Sequence, residues 1–118
     1  MRKTDKKIDN QFRLLLTDVC EFALKEIVGF QWLTHTVNYS NFPKSLKIVC
    51  VFDTNKSLAF FMTQKSKVEL TSLIQAKLYE VDVQLKQAVD YIVYDTEQNC
   101  EREHRGKWAD RLNWSARL

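Results

Sequence analysis

The sequence has very little glycine and proline, with two Gly and one Pro among 118 residues. This scarcity excludes a flexible linker, a collagen-like repeat and a low-complexity chain. With only Gly29 and Gly106, neither the dinucleotide-binding Gly-x-Gly-x-x-Gly loop nor a Walker A loop can form. The Gly-x-Ser-x-Gly and His-Glu-x-x-His motifs are also absent. Nucleotide-dependent enzymes of those classes are therefore excluded. We expect a protein that is not an enzyme, with no catalytic residues and no cofactor, and an enzyme is the third alternative after two kinds of binding module.

Long hydrophobic runs are missing as well. No apolar run approaches the ~20 residues of a membrane span, and no apolar segment of a signal peptide follows the basic N-terminus. The three cysteines, Cys20, Cys50 and Cys100, are widely spaced and form no Cys-x-x-Cys pair. This pattern is unlike a disulfide framework or a zinc ribbon. We therefore expect a cytoplasmic protein with no membrane partner, in which Cys20 and Cys50 lie in the core and Cys100 is the most exposed.

The residues that are present have the balance of a globular domain, with 45% hydrophobic and 28% charged. Apolar residues at helical spacing predict a first helix from about Asp5 to Val28, with Gly29 as its cap. β-branched and aromatic residues then predict two strands, Phe30–Tyr39 and Ser45–Asp53. The short connection between them indicates an antiparallel hairpin, and the apolar run of the second strand favours an inner strand.

The second half of the chain predicts two helices and one more strand. A short helix is expected over Ser57–Met62. A longer one starts at a capping box, Ser66-Lys-Val-Glu69, and runs to about Lys86. The third strand is Asp90–Asp95. Beyond it, residues 97–107 are polar and loop-like, and residues 108–118 form a short helix, an ordered arm or a tail.

The order α-β-β-α-α-β plus a C-terminal extension predicts one α+β domain over residues 1–100. We expect a small, mostly antiparallel sheet with helices packed on one face. Residues 101–118 are the extension, which is both basic and aromatic.

The net charge of +3 is unevenly distributed. Residues 1–13 hold five cations and two anions, and residues 101–118 hold five cations and three anions. The body between them therefore carries a net charge of −2. Basic ends on a mildly acidic body favour a polyanionic partner, RNA or DNA; the alternative is that these charges only keep the protein in solution.

Aromatic and cationic residues alternate near the C-terminus. Trp108, Arg111, Trp114 and Arg117 recur at a spacing of three. Aromatic rings stack on bases while arginines neutralise phosphates, so this segment is a candidate nucleic-acid surface. In the alternative interpretation, Trp108 and Leu112 pack on the sheet as a lid and the arginines stay in water.

The basic N-terminus is the second candidate surface. Cations at a helix N-terminus are unfavourable with the helix dipole, so they do not serve local stability; the alternative is a solvated helix start. The residues predicted to contact nucleic acid are Arg2, Lys3, Lys6, Lys7, Arg13, Arg105, Lys107, Trp108, Arg111, Trp114 and Arg117.

Three other groups carry weaker signals. Cys100 and His104 lie four residues apart, but two ligands are too few for a structural zinc site, so no metal is predicted. Asp95 and Glu97 at the end of the third strand are expected on a solvent face. His35 is expected at the surface or rim of the first strand.

The last predicted strand and the segment after it carry a resemblance to a known family. Ile92-Val-Tyr-Asp-Thr96, followed by the charged residues 97–105, resembles the end of type II KH-like domains of the ribosome-binding factor A family, and the element order is similar too. The resemblance implies an RNA- or ribosome-associated protein. The chain departs from nucleic-acid-clamping KH domains because it has no Gly-x-x-Gly loop. It is otherwise similar to small bacterial proteins to which we attach no mechanism.

The sequence therefore predicts a small, cytoplasmic, non-enzymatic binding module, with RNA as the favoured partner. One alternative is a protein-interaction or homodimerisation module, in which the first strand is an exposed edge and Phe30, Trp32 and the C-terminal aromatics form the interface. Another is a transcription-associated DNA-binding protein, although the helical region Leu58–Leu85 lacks a clear turn glycine.

Overall fold

The computed structural model describes residues 3–83 and 85–116, with side chains up to residue 113. Its α+β class and the predicted order of elements are confirmed. The helices and strands are α1 (Lys3–Glu26), β1 (Phe30–Thr36), β2 (Lys47–Phe52), α2 (Asn55–Phe61), α3 (Lys65–Glu80), β3 (Ile92–Thr96), α4 (Glu97–His104) and α5 (Trp108–Ala116). Two short 3-10 turns, Tyr39–Asn41 and Ala88–Tyr91, lie before β2 and β3.

The sheet has the order β1-β2-β3. β1 and β2 are antiparallel, as the hairpin pattern predicts. β3 pairs with β2 in parallel, because the chain crosses back over the sheet through α2 and α3 before it enters β3. The sheet is therefore mixed, which differs from the mostly antiparallel sheet expected. β2 is the central strand, and every residue from Ile48 to Phe52 is buried.

One face of the sheet packs against α1 and α3. Ile48, Cys50 and Phe52 point to this face and are fully buried with Phe12 of α1 and Ile74 of α3. Full burial of an aliphatic or aromatic side chain stabilises the fold by roughly 1.5–3 kcal/mol. This continuous apolar layer fixes the position of α1 along the sheet.

The opposite face is covered by the C-terminal helices. Trp32, Val51 and Asp95 are paired across the three strands and point to this side. Residues 97–104 were expected in a polar loop and instead form helix α4. Thr96 caps this helix by accepting a hydrogen bond from the backbone N–H of Asn99. Helices therefore lie on both faces rather than one, and α4 crosses the boundary expected between residues 100 and 101.

Several element ends differ from the expected ones. α3 begins at Lys65 after Gln64, so the capping box predicted at Ser66 is wrong. α3 also ends at Glu80, because Asp82 takes a left-handed φ of 63°, and Val83 after it is buried. Within residues 3–83 and 85–116, no helix is long and apolar enough to cross a membrane.

Candidate functional site

Arg111 on α5 is the centre of a charged cluster on the second face of the sheet. Its guanidinium donates two hydrogen bonds to the carboxylate of Asp95, one of them from Nη2 to Oδ1 at 2.9 Å. Its Nη1 atom donates to Glu103 Oε2 at 2.6 Å and lies 3.2 Å from Nδ1 of His104. The hydrogen bonds that Arg111 donates to Asp95 raise the pKa of the guanidinium, which therefore stays charged. The side chain is only 9% exposed, so its charge is used inside the protein.

Trp108, also on α5, is bound to the sheet beside this cluster. Its indole lies edge-on to Trp32, with ring centroids 4.8 Å apart and an interplanar angle of 84°. Glu97 accepts a hydrogen bond from each indole, from Trp32 at 2.6 Å and from Trp108 at 2.9 Å. One carboxylate thus bridges β1 and α5. This arrangement agrees with the lid interpretation for Trp108, and the half-buried Leu112 lies on the same helix.

Phe30 and Trp32 were the aromatic residues of the homodimer alternative. Phe30 is 4% exposed and packs against Phe52, whereas Trp32 packs against Trp108 of the same chain. Both rings therefore have aromatic partners within the same chain.

The predicted nucleic-acid contacts divide into separate groups. Arg105 and Lys107 are exposed in the turn before α5. Arg111 and Trp108 are held by internal contacts. Arg2, Arg117 and the side chain of Trp114 lie outside the described residues.

The cations of the first helix form the remaining group, here called the basic end: Lys3, Lys6, Lys7 and Arg13. All four are exposed. Within the described ranges the three lysines make no ion pair, and the Nε atom of Arg13 lies 3.5 Å from Asp9 Oδ2 while its side chain is 72% exposed. In contrast to Arg111, these charges are not needed to hold elements together.

Asp9, one turn after the lysines, is the centre of a second polar cluster. Its Oδ1 atom accepts a hydrogen bond from the Tyr39 hydroxyl at 2.9 Å and lies 2.8 Å from Nε2 of His35. Burial raises the pKa of Asp9, but the hydrogen bonds from His35 and Tyr39 and the nearby positive charges outweigh it, so the pKa lies below its usual value. The carboxylate therefore stays ionised and fixes both rings.

A cavity of about 570 Å³ opens beside Asp9. Its walls come from α1, the end of β1, the β1–β2 connection and α5, with Asp9, Tyr39, Lys47, Leu112 and Asn113 among the lining residues. We call it the junction cavity, because it joins the first helix to the last one. Residues of α1 and of α5 therefore line the same space.

His35 was expected at the surface or rim of the first strand, and its side chain, 10% exposed, lies at the rim of the core rather than in solvent. A register shift between Phe30 and Trp32 inserts Gln31 as an extra residue. Beyond that bulge, Trp32 and Thr34 point towards α5, whereas His35 points to α1 and contacts the ring of Phe12. The alternation was therefore correct, but the face assigned to solvent is the core face.

Cys100 and His104, four residues apart on α4, have different surroundings. Cys100 was expected to be the most exposed cysteine and is instead fully buried, and burial raises the pKa of its thiol. Nδ1 of His104 faces Arg111. Among residues 3–83 and 85–116 there is no group of three His, Cys, Asp or Glu side chains that could hold a metal ion. Asp95 and Glu97, expected in solvent, are half-buried partners of Arg111 and the two tryptophans.

Sequence reasoning missed Asp9, Tyr39 and Asn113. Asp9 carries a weak signal, because it lies at the boundary of the apolar stripe of α1, three residues before the buried Phe12. Tyr39 and Asn113 carry none, since their proximity depends on how the β1–β2 connection and α5 converge.

Comparison with protein-family models, with curated proteins and with solved structures finds no match to this chain.

Proposed function

We propose that this protein is a non-enzymatic, cytoplasmic nucleic-acid-binding module whose partner is RNA, and that the basic end supplies its phosphate contacts. The observation that carries the proposal is the exposed basic end of α1, which lies on the same helix as Asp9, a lining residue of the junction cavity. A polyanion bound at the basic end meets exposed positive charge and avoids the mildly acidic body of residues 14–100.

The state of the lysines supports this role. Lys3, Lys6 and Lys7 occupy the first turns of α1, where positive charge opposes the helix dipole. They are exposed and make no ion pair with the described residues. They therefore add nothing to the stability of the fold, yet they are available to phosphates. Lys44, exposed in the β1–β2 connection, adds a further cation beside the same cavity.

RNA is favoured over DNA because the strand and tail at residues 92–105 resemble a type II KH-like domain. The internal contacts of Trp108 and Arg111 move the expected contact surface from α5 to α1.

The test is a binding titration of a fluorescently labelled single-stranded RNA of mixed sequence at several salt concentrations, with a duplex DNA measured in parallel. The variant K3Q/K6Q/K7Q removes three exposed charges of the basic end. Binding weakens with salt, and each phosphate contact contributes about −0.7 to the slope of log K against log salt for a single strand. We therefore expect the slope of the triple variant to be less negative by about 2. The affinity for RNA should fall about tenfold or more at low salt.

The matched control is K56Q/K65Q/K86Q, which removes three exposed lysines from α2, α3 and the segment before β3. It has the same net charge as the first variant and should keep a slope close to that of the unmodified protein. Equal losses in both variants would show only a response to net charge and would overturn the assignment to the basic end. A protein that binds neither RNA nor DNA at low salt would refute the proposed function, and tighter binding of duplex DNA would replace RNA by DNA.

A further inference from the structure

We infer that the junction cavity receives one unpaired nucleobase of the bound RNA, an inference that rests on the proposed function and identifies the part of the RNA that is recognised. Asp9, which lines the cavity, comes three residues after Lys6 on α1, so Lys6 of the basic end lies about one helical turn from the cavity wall. A strand that follows the basic end therefore brings its bases to the mouth of the cavity.

The size and walls of the cavity suit a base. Its volume of about 570 Å³ falls within the ~300–1,000 Å³ of small-molecule sites. The ring of Tyr39 lines it while stacking on Phe42, with centroids 5.9 Å apart. Aromatic side chains and amides are the groups that proteins use to stack and read unpaired bases.

The amides come from Asn38 and Asn113, which lie on different elements but line the same space. Asn38 is fixed, because its Oδ1 accepts from the backbone N–H of Ser40 at 3.0 Å and its backbone is bonded to the hydroxyl of Ser45. The side chain of Asn113 is exposed and makes no hydrogen bond within the described part of the chain. It is therefore available to the donors and acceptors of a base edge.

Asp9 holds the wall rather than contacting the ligand. Its Oδ1 atom is used by His35 and Tyr39, and its Oδ2 atom faces Arg13. These partners occupy both oxygens of the Asp9 carboxylate, so the group is directed at the protein rather than at a ligand. They also keep the two rings in one orientation, so little conformational freedom is lost when a base enters.

The experiment compares a single-stranded RNA with an abasic analogue of the same length, which keeps the phosphates and lacks the bases. The variant A109W fills the cavity from α5, where Ala109 is an exposed lining residue. The control A76W places the same side chain at an exposed position of α3. We expect the unmodified protein and A76W to bind the complete RNA about 5- to 100-fold more tightly than the abasic strand.

A109W should bind both strands with the weak affinity of the abasic one, and with an unchanged salt slope. Equal binding of the two strands by the unmodified protein, or a retained base preference in A109W, would overturn the base pocket while leaving the proposed function in place. If neither strand binds, the proposed function fails and the pocket fails with it. Circular dichroism spectra of both tryptophan variants confirm that each is folded before the comparison is made. The variant N113A removes an amide without filling the cavity and gives a second measure of the base preference.

Discussion

The two faces of the sheet are held to their helices by different physical means. On the α1 and α3 face the contacts are apolar, with Ile48, Cys50 and Phe52 of β2 completely buried. On the α4 and α5 face, Arg111 binds Asp95 and Glu97 binds two indoles. Apolar burial is non-directional and tolerates small shifts, whereas charged hydrogen bonds fix distance and angle. The first face therefore supplies most of the stability, and the second fixes the orientation of the C-terminal helices.

The largest effect is expected from Phe52→Ala on the apolar face. Phe52 is fully buried and packs against Phe30 and Phe61. The lost burial and the cavity left behind should lower the free energy of unfolding by about 3–5 kcal/mol. Urea denaturation measures this loss. Val93→Ala, at a position 38% exposed on the edge strand β3, is the control and should cost less than about 1 kcal/mol. Similar losses in both variants would contradict the assignment of the core to this face.

The next effect is expected from Arg111→Met on the charged face. Methionine keeps most of the volume but leaves Asp95 without its cation and Glu103 with Arg102 alone. Asp95 is only 14% exposed, so its carboxylate loses hydrogen bonds in a poorly solvated site. The free energy of unfolding should fall by about 2–4 kcal/mol.

A double variant separates the charge effect from packing. Arg111→Met combined with Asp95→Asn removes both charges of the pair, so the double variant should be more stable than the sum of the two single losses predicts. Arg102→Met, at a side chain 62% exposed, should have little effect. Additive losses in the double variant would mean that Arg111 acts through packing alone and that the two faces do not differ in kind.

A smaller effect is expected from Glu97→Gln. The carboxylate accepts from both Trp32 and Trp108, but a glutamine has one acceptor oxygen and presents its NH₂ group to the other indole N–H. The loss should be about 1–2 kcal/mol, accompanied by a change in tryptophan emission as the two rings separate. Glu101, exposed on the same helix and without a side-chain hydrogen bond within the described residues, provides the matched control as Glu101→Gln. An unchanged emission spectrum in Glu97→Gln would show that the carboxylate does not fix the rings.

The difference between the faces also explains which features could be predicted from the sequence. The apolar periodicity of α1 and the apolar run of β2 depend on local spacing, and both elements lie where they were expected. Gly29 follows the first helix with a φ of 86°, and a Cβ there would lie 2.5 Å from the Cβ of Ser57. Its position after α1 was predictable, but the close approach of α2 was not.

The incorrect predictions concern the face of the sheet that α4 and α5 cover. Residues 97–107 are strongly polar, and that composition suggested a loop, yet Thr96 caps a helix whose Arg102 and Glu103 face solvent and whose Cys100 is buried. The partners of Arg111 lie 8 and 16 residues before it, and no spacing rule links them. The junction cavity could not be predicted for the same reason, because Asp9, Tyr39 and Asn113 are far apart in the sequence and come together only in the folded protein.

The smallest expected effect concerns the pH dependence of the Asp9 cluster, a polar group at the rim of the apolar face. The hydrogen bonds from His35 and Tyr39 outweigh burial and lower the pKa of Asp9 from its usual value of 3.8. A carboxyl whose pKa is lowered by folding contributes stability above the unfolded pKa and loses it as the pH falls through the folded pKa. The unmodified protein should therefore be more stable than Asp9→Asn by about 1 kcal/mol at neutral pH, and the difference should shrink once the pH falls below 3.8.

Urea denaturation of both proteins from neutral to strongly acidic pH measures this difference directly. Asp18→Asn is the matched control, because Asp18 lies on the same helix with its side chain 61% exposed and a surface pair of this kind contributes little. Its stability should follow that of the unmodified protein over the whole pH range. If the free energy of unfolding of Asp9→Asn differs from that of the unmodified protein by the same amount at every pH, the charge of Asp9 does not contribute to stability. The rim of the apolar face would then be held by packing, as the rest of that face is, and not by charge.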